Sequence, residues 1–337
     1  MAERLLEVTD LVTTYAGRGL FQRRGDVRAV DGVSLSVDAG EVLALVGESG
    51  CGKTSTAQTI LRMVDSASGS IVFEGEDITH ASDRGLRTAR RGMQMIYQDP
   101  YESLDPRFTV RDTVQEPLLV HAKRLNARER EQRIASALET VGLTPSESYF
   151  DRYPHELSGG QRQRVAIASA LVINPRLLIA DEPVSMLDVS VRAGILELLR
   201  EQCETGLGMI MITHDLATAA HFADRIAVMY LGRIIEEGPV DEVVRNPKHP
   251  YTRALLSVVP QRDPLKTQEP IILTGEAPNA AEIPPGCRFH PRCPIAIDAC
   301  RDIDPALETV VAPGHRAACI LANHASNVDR AADAVRA

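Results

Sequence analysis

The sequence predicts an α/β fold: a parallel sheet wrapped by helices, with a β-rich N-terminal part, a helical insert and an irregular C-terminal appendage that carries cysteines. Three observations predict it. Short apolar runs without helical spacing, Glu41–Val46, Leu177–Ala180 and Met209–Thr213, alternate with helical segments, which argues for buried parallel strands under helices. Gly47–Thr54 lies between the first of these runs and a helix over Thr54–Met63, and it fits G-x-x-x-x-G-K-[ST], a phosphate-binding loop. After Gly238 prolines punctuate the chain, and periodic runs give out except at Tyr251–Val259.

Residues 5–46 read as β-rich. Val33, Leu35 and Val37 alternate with Ser34, Ser36 and Asp38, the pattern of a half-buried strand. Asp38-Ala39-Gly40 then turns into the strand before the loop. The insertion Gly17–Asp26, with Arg18, Arg23 and Arg24, reads as a surface hairpin or loop. Gly69–Ile78 reads as a strand and turn, and Gly92–Tyr97 as a strand ending in Gln98-Asp99-Pro100. From Val110 to about Pro154 the pattern is helical. Ile134, Leu138 and Val141 fall at i, i+4 and i+7 on a helix that opens with Arg128–Arg133 and ends at Leu143-Thr144-Pro145. Further helices are expected over Gln161–Val172, Val189–Glu204 and Leu216–Ala223, and a hairpin over Ile226–Tyr230 and Arg233–Glu237. The domain reading is a nucleotide-binding domain over 1–238 with a helical subdomain at about 99–175. A C-terminal domain over 239–321 and a disordered tail over 322–337 follow.

Composition narrows the function. A net charge of -9, from 46 acidic against 37 basic residues, argues against a nucleic-acid partner, which needs a basic surface. Trp is absent and aromatics are 4%, so base-stacking platforms are not expected either. No run approaches the roughly eighteen apolar residues of a membrane span. The N-terminus has no charged-then-apolar signal segment, so a cytoplasmic location is expected.

The chemistry-bearing residues begin with the loop. Glycines 47, 50 and 52 let successive N–H groups point inward, and the helix start adds partial positive charge. Ser49, Cys51 and Ser55 belong to the same phosphate-contacting stretch. Lys53 would reach the terminal phosphates and Thr54 would sit on Mg²⁺. Hydrolysis also needs a carboxylate for Mg²⁺ and a group that prepares water. Asp181 at a strand end suits the first task and Glu182 the second. His214, after another buried strand, can contact the γ-phosphate, and the Gln98 amide can coordinate Mg²⁺ and touch the water. Leu157-Ser158-Gly159-Gly160-Gln161 supplies a second anion-binding helix start. One triphosphate does not need two such sites from one chain, so the second is expected to serve a partner chain.

Gly47–Thr54, Gln98, Leu157–Gln161, Leu177–Glu182, Ser185–Asp188 and His214 occur in the order seen in the ATP-binding subunits of ATP-binding cassette (ABC) transporters, which the chain resembles. The resemblance implies a P-loop NTPase cassette with an antiparallel β subdomain. It implies that Tyr15 stacks on adenine, that Ser158, Gly160 and Gln161 complete the opposing subunit's site, and that Asp188 lies at the dimer seam. Asp99–Pro106 and 110–154 would form the groove for a helix of the membrane subunit. The loop Gly-Glu-Ser-Gly-Cys-Gly-Lys, Gln98–Arg107, Pro154-His155-Glu156 and His249–Leu256 resemble the oligopeptide and dipeptide importer ATPases in particular, to about residue 321. That implies two permease subunits, a second and different ATPase chain, an extracytoplasmic peptide-binding protein and a place on the cytoplasmic face of the membrane. An importer subunit for nickel or another small solute, or a non-transport cassette ATPase, is the alternative. Met186 and Ser169 depart from the family's usual Ala and Arg, and Thr54-Ser55 from its commoner Ser-Thr.

Cys287, Cys293, Cys300 and Cys319 place four thiols in a segment with little core. Four thiolates suit Zn²⁺ or a four-iron cluster. The resemblance favours [4Fe–4S], with Zn²⁺ as the alternative and free or disulfide-linked thiols as a third reading. Cys51 and Cys203 read as packing residues.

Overall fold

The structure, a computed structural model, describes residues 3–16, 26–99, 103–259, 269–273, 275, 280–310 and 314–322. The expected surface insertion at Gly17–Asp26 lies almost wholly outside them, as do Pro100, Tyr101 and Glu102 of the expected groove and the tail after Ala322. In chain order the elements open with β1 (Arg4–Tyr15), β2 (Val27–Asp38), β3 (Val42–Val46), α1 (Lys53–Ile60), β4 (Ser68–Phe73) and β5 (Glu76–Asp77). Next come α2 (Asp83–Gly92), β6 (Met93–Ile96), α3 (Val110–His121), α4 (Ala127–Thr140), α5 (Gly159–Leu171), β7 (Leu177–Asp181), α6 (Val189–Glu204) and β8 (Gly208–Thr213). The chain ends with α7 (Leu216–Phe222), β9 (Arg225–Tyr230), β10 (Arg233–Pro239), α8 (Val240–Arg245), α9 (Pro250–Ser257), β11 (Glu308–Thr309) and β12 (Arg316–Ala317). These pack into two compact units.

The first unit draws on Met1–Leu6, Ser36–Val42 and Val72–Ile212. Its sheet is parallel: β6 pairs with β7, and β7 with β8, Asp181 opposite Ile212. Leu177–Asp181 and Gly208–Thr213 are buried at every residue, as continuous apolar runs in a two-sided parallel sheet should be. The expected helical stretch after Val110 resolves into α3 and α4. Each starts at a capping box, Thr109 with Asp112 and Asn126 with Glu129, which satisfies helix N–H groups that would otherwise lack partners. Val110, Val114 and Leu118 of α3, and Ile134 and Leu138 of α4, supply the buried faces.

Pro117 lies inside α3 and cannot donate to the Thr113 carbonyl one turn back. Ser169 of α5 donates its hydroxyl to that carbonyl at 3.2 Å. The departure at Ser169 thus supplies the donor that the proline lacks. Helix α2 was not expected from the sequence. Its signals were short but present: Ser82 as N-cap, Leu86 and Ala89 buried, Arg90 and Arg91 at its C-terminal end.

The second unit draws on Glu7–Leu35, Leu43–Ile71 and Thr213–Ala337. Here β1 runs between β2 and β4. Separately, β3 pairs parallel with β9, and β9 forms the expected hairpin with β10. The appendage then adds to this sheet: β12 pairs antiparallel with β10, and β11 with β12. Phe289 inserts edge-on against Tyr230 and Tyr251, with ring centroids 5.3 and 5.4 Å away. Such aromatic pairs contribute about 1 kcal/mol each beyond area burial. Arg288 pairs with buried Asp31, and Arg233 bridges Asp31 at 3.3 Å and Asp304 at 2.5 Å. Burial pulls the Asp31 pKa upward, but Arg288, with Arg233 and Arg28, outweighs it and holds the carboxyl below its ordinary value. Rings and ion pairs therefore fasten the appendage where a large core is lacking.

Glu236 is fully buried and accepts from the backbone N–H groups of Lys248 (2.6 Å) and His249 (2.9 Å), with the His315 Nε2 2.8 Å away. His249 accepts from Tyr251 N at its Nδ1 and is itself buried. Burial pushes its pKa down to about 4, against an upward pull from Glu236. The folded chain keeps this imidazole neutral, whereas the unfolded chain takes up a proton near the ordinary value of 6.5. Between those values the unfolded state binds more protons, so stability falls as pH drops through the window. The expected result is a denaturant midpoint that declines from pH 6.5 to 4, this group accounting for about 3 kcal/mol at the acid end. His249→Gln should flatten that profile; an unchanged slope would assign the acid sensitivity to another group.

Candidate nucleotide site

The second unit carries the phosphate loop. Strand β3, buried throughout, delivers Gly47 beside β9, where a Cβ would collide with the Met229 carbonyl. Gly52 has φ +107°, a left-handed conformation that L side chains rarely adopt, and its Cβ would strike the Ala29 carbonyl. These two glycines are forced by close backbone approach. The Cys51 carbonyl accepts from Gly232 N at 2.8 Å, which ties the loop to the β9–β10 turn. Burial pushes the Cys51 thiol up in pKa, in keeping with a packing role. Lys53 is 6% exposed and donates its ammonium to the carbonyls of Gly47 (2.7 Å) and Glu48 (2.9 Å), which aims it back across the loop. No side chain caps α1, and Ser49, Gly50 and Thr54 stand exposed around its start. Tyr15 is 37% exposed, and its hydroxyl lies 3.4 Å from Ser55 Oγ, so the expected adenine-stacking ring stands beside the first turn of α1. His214 is exposed and directly precedes Asp215, whose side chain caps α7.

Glu48, Tyr251 and Arg292 were not singled out from the sequence as site residues, yet they meet at the loop. The Glu48 carboxylate accepts from both terminal nitrogens of Arg292, at 2.9 and 3.2 Å. Glu48 N donates to the Tyr251 hydroxyl at 2.9 Å. Separations of 244 and 203 residues hide these contacts from any local pattern.

The first unit carries the carboxylates. Asp181, at the end of β7, is 4% exposed. Glu182 follows with φ +47°, uncommon for a residue with a side chain and a mark of a functional turn. Glu182 N donates to Ile212 O at 2.9 Å, and the Ser185 hydroxyl to Glu182 O at 3.1 Å, so the turn is held from both sides. The structure brings Gln98 to Glu182: its amide nitrogen donates to the carboxylate at 3.2 Å. Ser158 caps α5, its hydroxyl accepting from Gln161 N, while the Gln161 side chain accepts from Ser158 N at 3.0 Å. Gln161 thus helps close its own helix start. Asp188 is exposed at the start of α6, and Met186 is 60% exposed on the turn before it. Arg192 fixes that turn by donating to the carbonyls of Leu187 and Ser185.

The expectation of a [4Fe–4S] cluster, or of Zn²⁺, on Cys287, Cys293, Cys300 and Cys319 is corrected. The four residues line one small pocket together with Phe289, Ile295, Ile320 and Leu321. Among the described residues, however, no group of three or more His, Cys, Asp or Glu is arranged to hold a metal ion. All four are free. Burial pushes Cys293 up to about 12 and Cys319 to about 11, and raises Cys287 as well. These cysteines pack as small apolar side chains.

Comparison with known proteins agrees with this geometry. Residues 30–185 match the ABC transporter family, and residues 235–300 match the oligopeptide/dipeptide transporter C-terminal region. The chain is 47% identical to the oligopeptide transport ATP-binding protein AppF of Bacillus subtilis, over 95% of this chain and 98% of that one. It is 45% identical to the di/tripeptide transport ATP-binding protein DppF of Pseudomonas aeruginosa, over 90% and 94%. Among solved structures, the ATP-binding cassette MJ0796, in a dimeric post-hydrolysis state bound to ADP and Pi, superposes with a TM-score of 0.63. That match has 28% identity and covers 70% of this chain and 99% of that one. The chain therefore belongs to the ATP-binding subunits of ABC transporters, in the branch with the oligopeptide/dipeptide C-terminal region.

Proposed function

We propose that this chain hydrolyses ATP to drive peptide import through an ABC transporter, as one half of an ATP-sandwich dimer. One observation carries the reading. The cassette match and the oligopeptide/dipeptide C-terminal match fall on one chain that aligns almost end to end with a peptide-transport ATPase. In this reading Tyr15 stacks on adenine, and the N–H groups of the loop after Glu48 cradle the phosphates. Lys53 neutralises the terminal phosphates.

The donor atoms have the chemistry that the metal accompanying ATP requires. The Thr54 hydroxyl, the Asp181 carboxylate and the Gln98 amide oxygen are hard donors of the class Mg²⁺ takes. Gln98 uses its nitrogen on Glu182, which leaves the oxygen as the acceptor for a cation. When bound, Mg²⁺ neutralises charge on the phosphate oxygens. Glu182 polarises a water, which attacks the γ-phosphorus in line as the bond to the ADP oxygen breaks. His214 and Gln98 orient the groups around it. Ser158, Gly160 and Gln161 face the nucleotide of the partner ATPase, and Asp188 lies at the seam.

The partners in this reading are two permease subunits, a second and different ATPase chain, and an extracytoplasmic peptide-binding protein. The chain acts at the cytoplasmic face of the membrane. No helix among the described residues is long and apolar enough to cross it. Reconstitution with the neighbouring permease and binding proteins in vesicles tests the proposal: ATP-dependent uptake of a labelled di- or oligopeptide is expected. Uptake of Ni²⁺ with no peptide uptake would replace peptide by metal as the cargo.

A further inference from the structure

Glu48 is the second residue of the phosphate loop, and each of its polar groups is engaged. Its carbonyl accepts from Lys53 (2.9 Å), its N–H donates to Tyr251, and its carboxylate takes both terminal nitrogens of Arg292. The last two partners come from the C-terminal region. Tyr251 is fully buried on α9, its ring 4.9 Å from that of Tyr230. Arg292 closes a short 3-10 turn, His290–Arg292, beside Phe289, and its side chain is 9% exposed. The Glu48 side chain is 30% exposed, so this ion pair is partly desolvated and two-pronged, the geometry in which Arg–carboxylate pairing is strongest.

We infer that Arg292 and Tyr251 are positioning residues for nucleotide binding: the C-terminal region holds the phosphate loop in its binding shape and masks the Glu48 carboxylate. The inference deepens the ATP reading and rests on it. A loop that binds a triphosphate should not carry an unmasked carboxylate one residue from its first glycine, because like charges repel. Arg292 removes that charge by pairing with it. Tyr251 fixes the backbone by accepting the Glu48 N–H. A Lys at 292 would keep the charge but lose the fork.

The test is a double-mutant cycle on the full-length chain, read by binding of a fluorescent ATP analogue with Mg²⁺. Arg292→Ala should weaken binding about tenfold by exposing the Glu48 charge. Glu48→Ala alone should weaken it far less than Arg292→Ala does, and the pair Glu48→Ala with Arg292→Ala should bind better than Arg292→Ala alone, since no charge is left to mask. Arg292→Lys should fall between. A merely structural Arg292 would give a double variant no better than Arg292→Ala, and that result, or unchanged binding in Arg292→Ala, overturns the inference. Tyr251→Phe, which keeps the packing and loses the acceptor, should weaken binding without lowering the thermal midpoint. Lys53→Ala runs alongside. If it still binds the analogue, the ATP reading itself has failed; if it does not bind while the cycle is flat, only the positioning role has failed.

Discussion

Lys53→Ala leaves a folded chain that no longer binds nucleotide: the expected loss of ATP affinity is a hundredfold or more. The ammonium is the loop's strongest point charge, held over the Gly47 and Glu48 carbonyls and 6% exposed. Hydrogen bonds to charged groups contribute about 1.5–3 kcal/mol each, and a bound triphosphate would receive more than one from this side chain. Titration calorimetry with MgATP measures the loss. Lys53→Met serves as the companion variant because it keeps the apolar stem that fills the loop. Affinity within threefold of the parent in both variants would remove Lys53 from the site.

Glu182→Gln separates binding from hydrolysis. Gln has the same shape, so the left-handed turn held by Ile212 and Ser185 should persist. What is lost is the carboxylate that Gln98 now meets at 3.2 Å. A positioned proton acceptor contributes about 10²–10⁴-fold to turnover. Phosphate release should fall by that range while MgATP still binds, and the ATP-bound dimer should accumulate on gel filtration. Normal turnover in the variant would assign water activation elsewhere.

Much of this was legible because each signal was local. The fully buried strands Val42–Val46 and Leu177–Asp181, the loop between the first of them and α1, and the N-cap at Ser158 each depend on residues within a few positions of one another. The Gln98–Glu182 contact was not read from the sequence: each residue was placed after a strand, but the pairing of β6 with β7 that brings them together is seen only in three dimensions. What escaped notice depended on distance or on faint patterning. Helix α2 is dominated by polar residues and buries only Leu86 and Ala89, too few for its periodicity to stand out. Ser169 looked like an unexplained departure until Pro117, half a subdomain away in sequence, was seen to leave the Thr113 carbonyl without its helical donor, the carbonyl that Ser169 serves. The cysteine cluster misled for a related reason. Cysteine count and family resemblance suggested a metal, but they do not report how the sulfurs are arranged in space, and among the described residues no group arranged to hold a metal forms. Glu48 could be read as part of a motif, whereas its partners Tyr251 and Arg292 could be found only in three dimensions.

The short strand β12 bears on how the chain is made. Ala317 and Arg316 pair with Glu236 and Glu237 of β10, and Arg316 adds two charge-assisted hydrogen bonds to Glu237. Until residue 317 has left the ribosome, that edge of β10 has no strand partner, although the loop-bearing β3 and its neighbour β9 were made long before. An open edge is an invitation to pair with another chain. Strand β12 is thus also a safeguard during synthesis: it covers the edge only after the chain has grown 79 residues past Glu237.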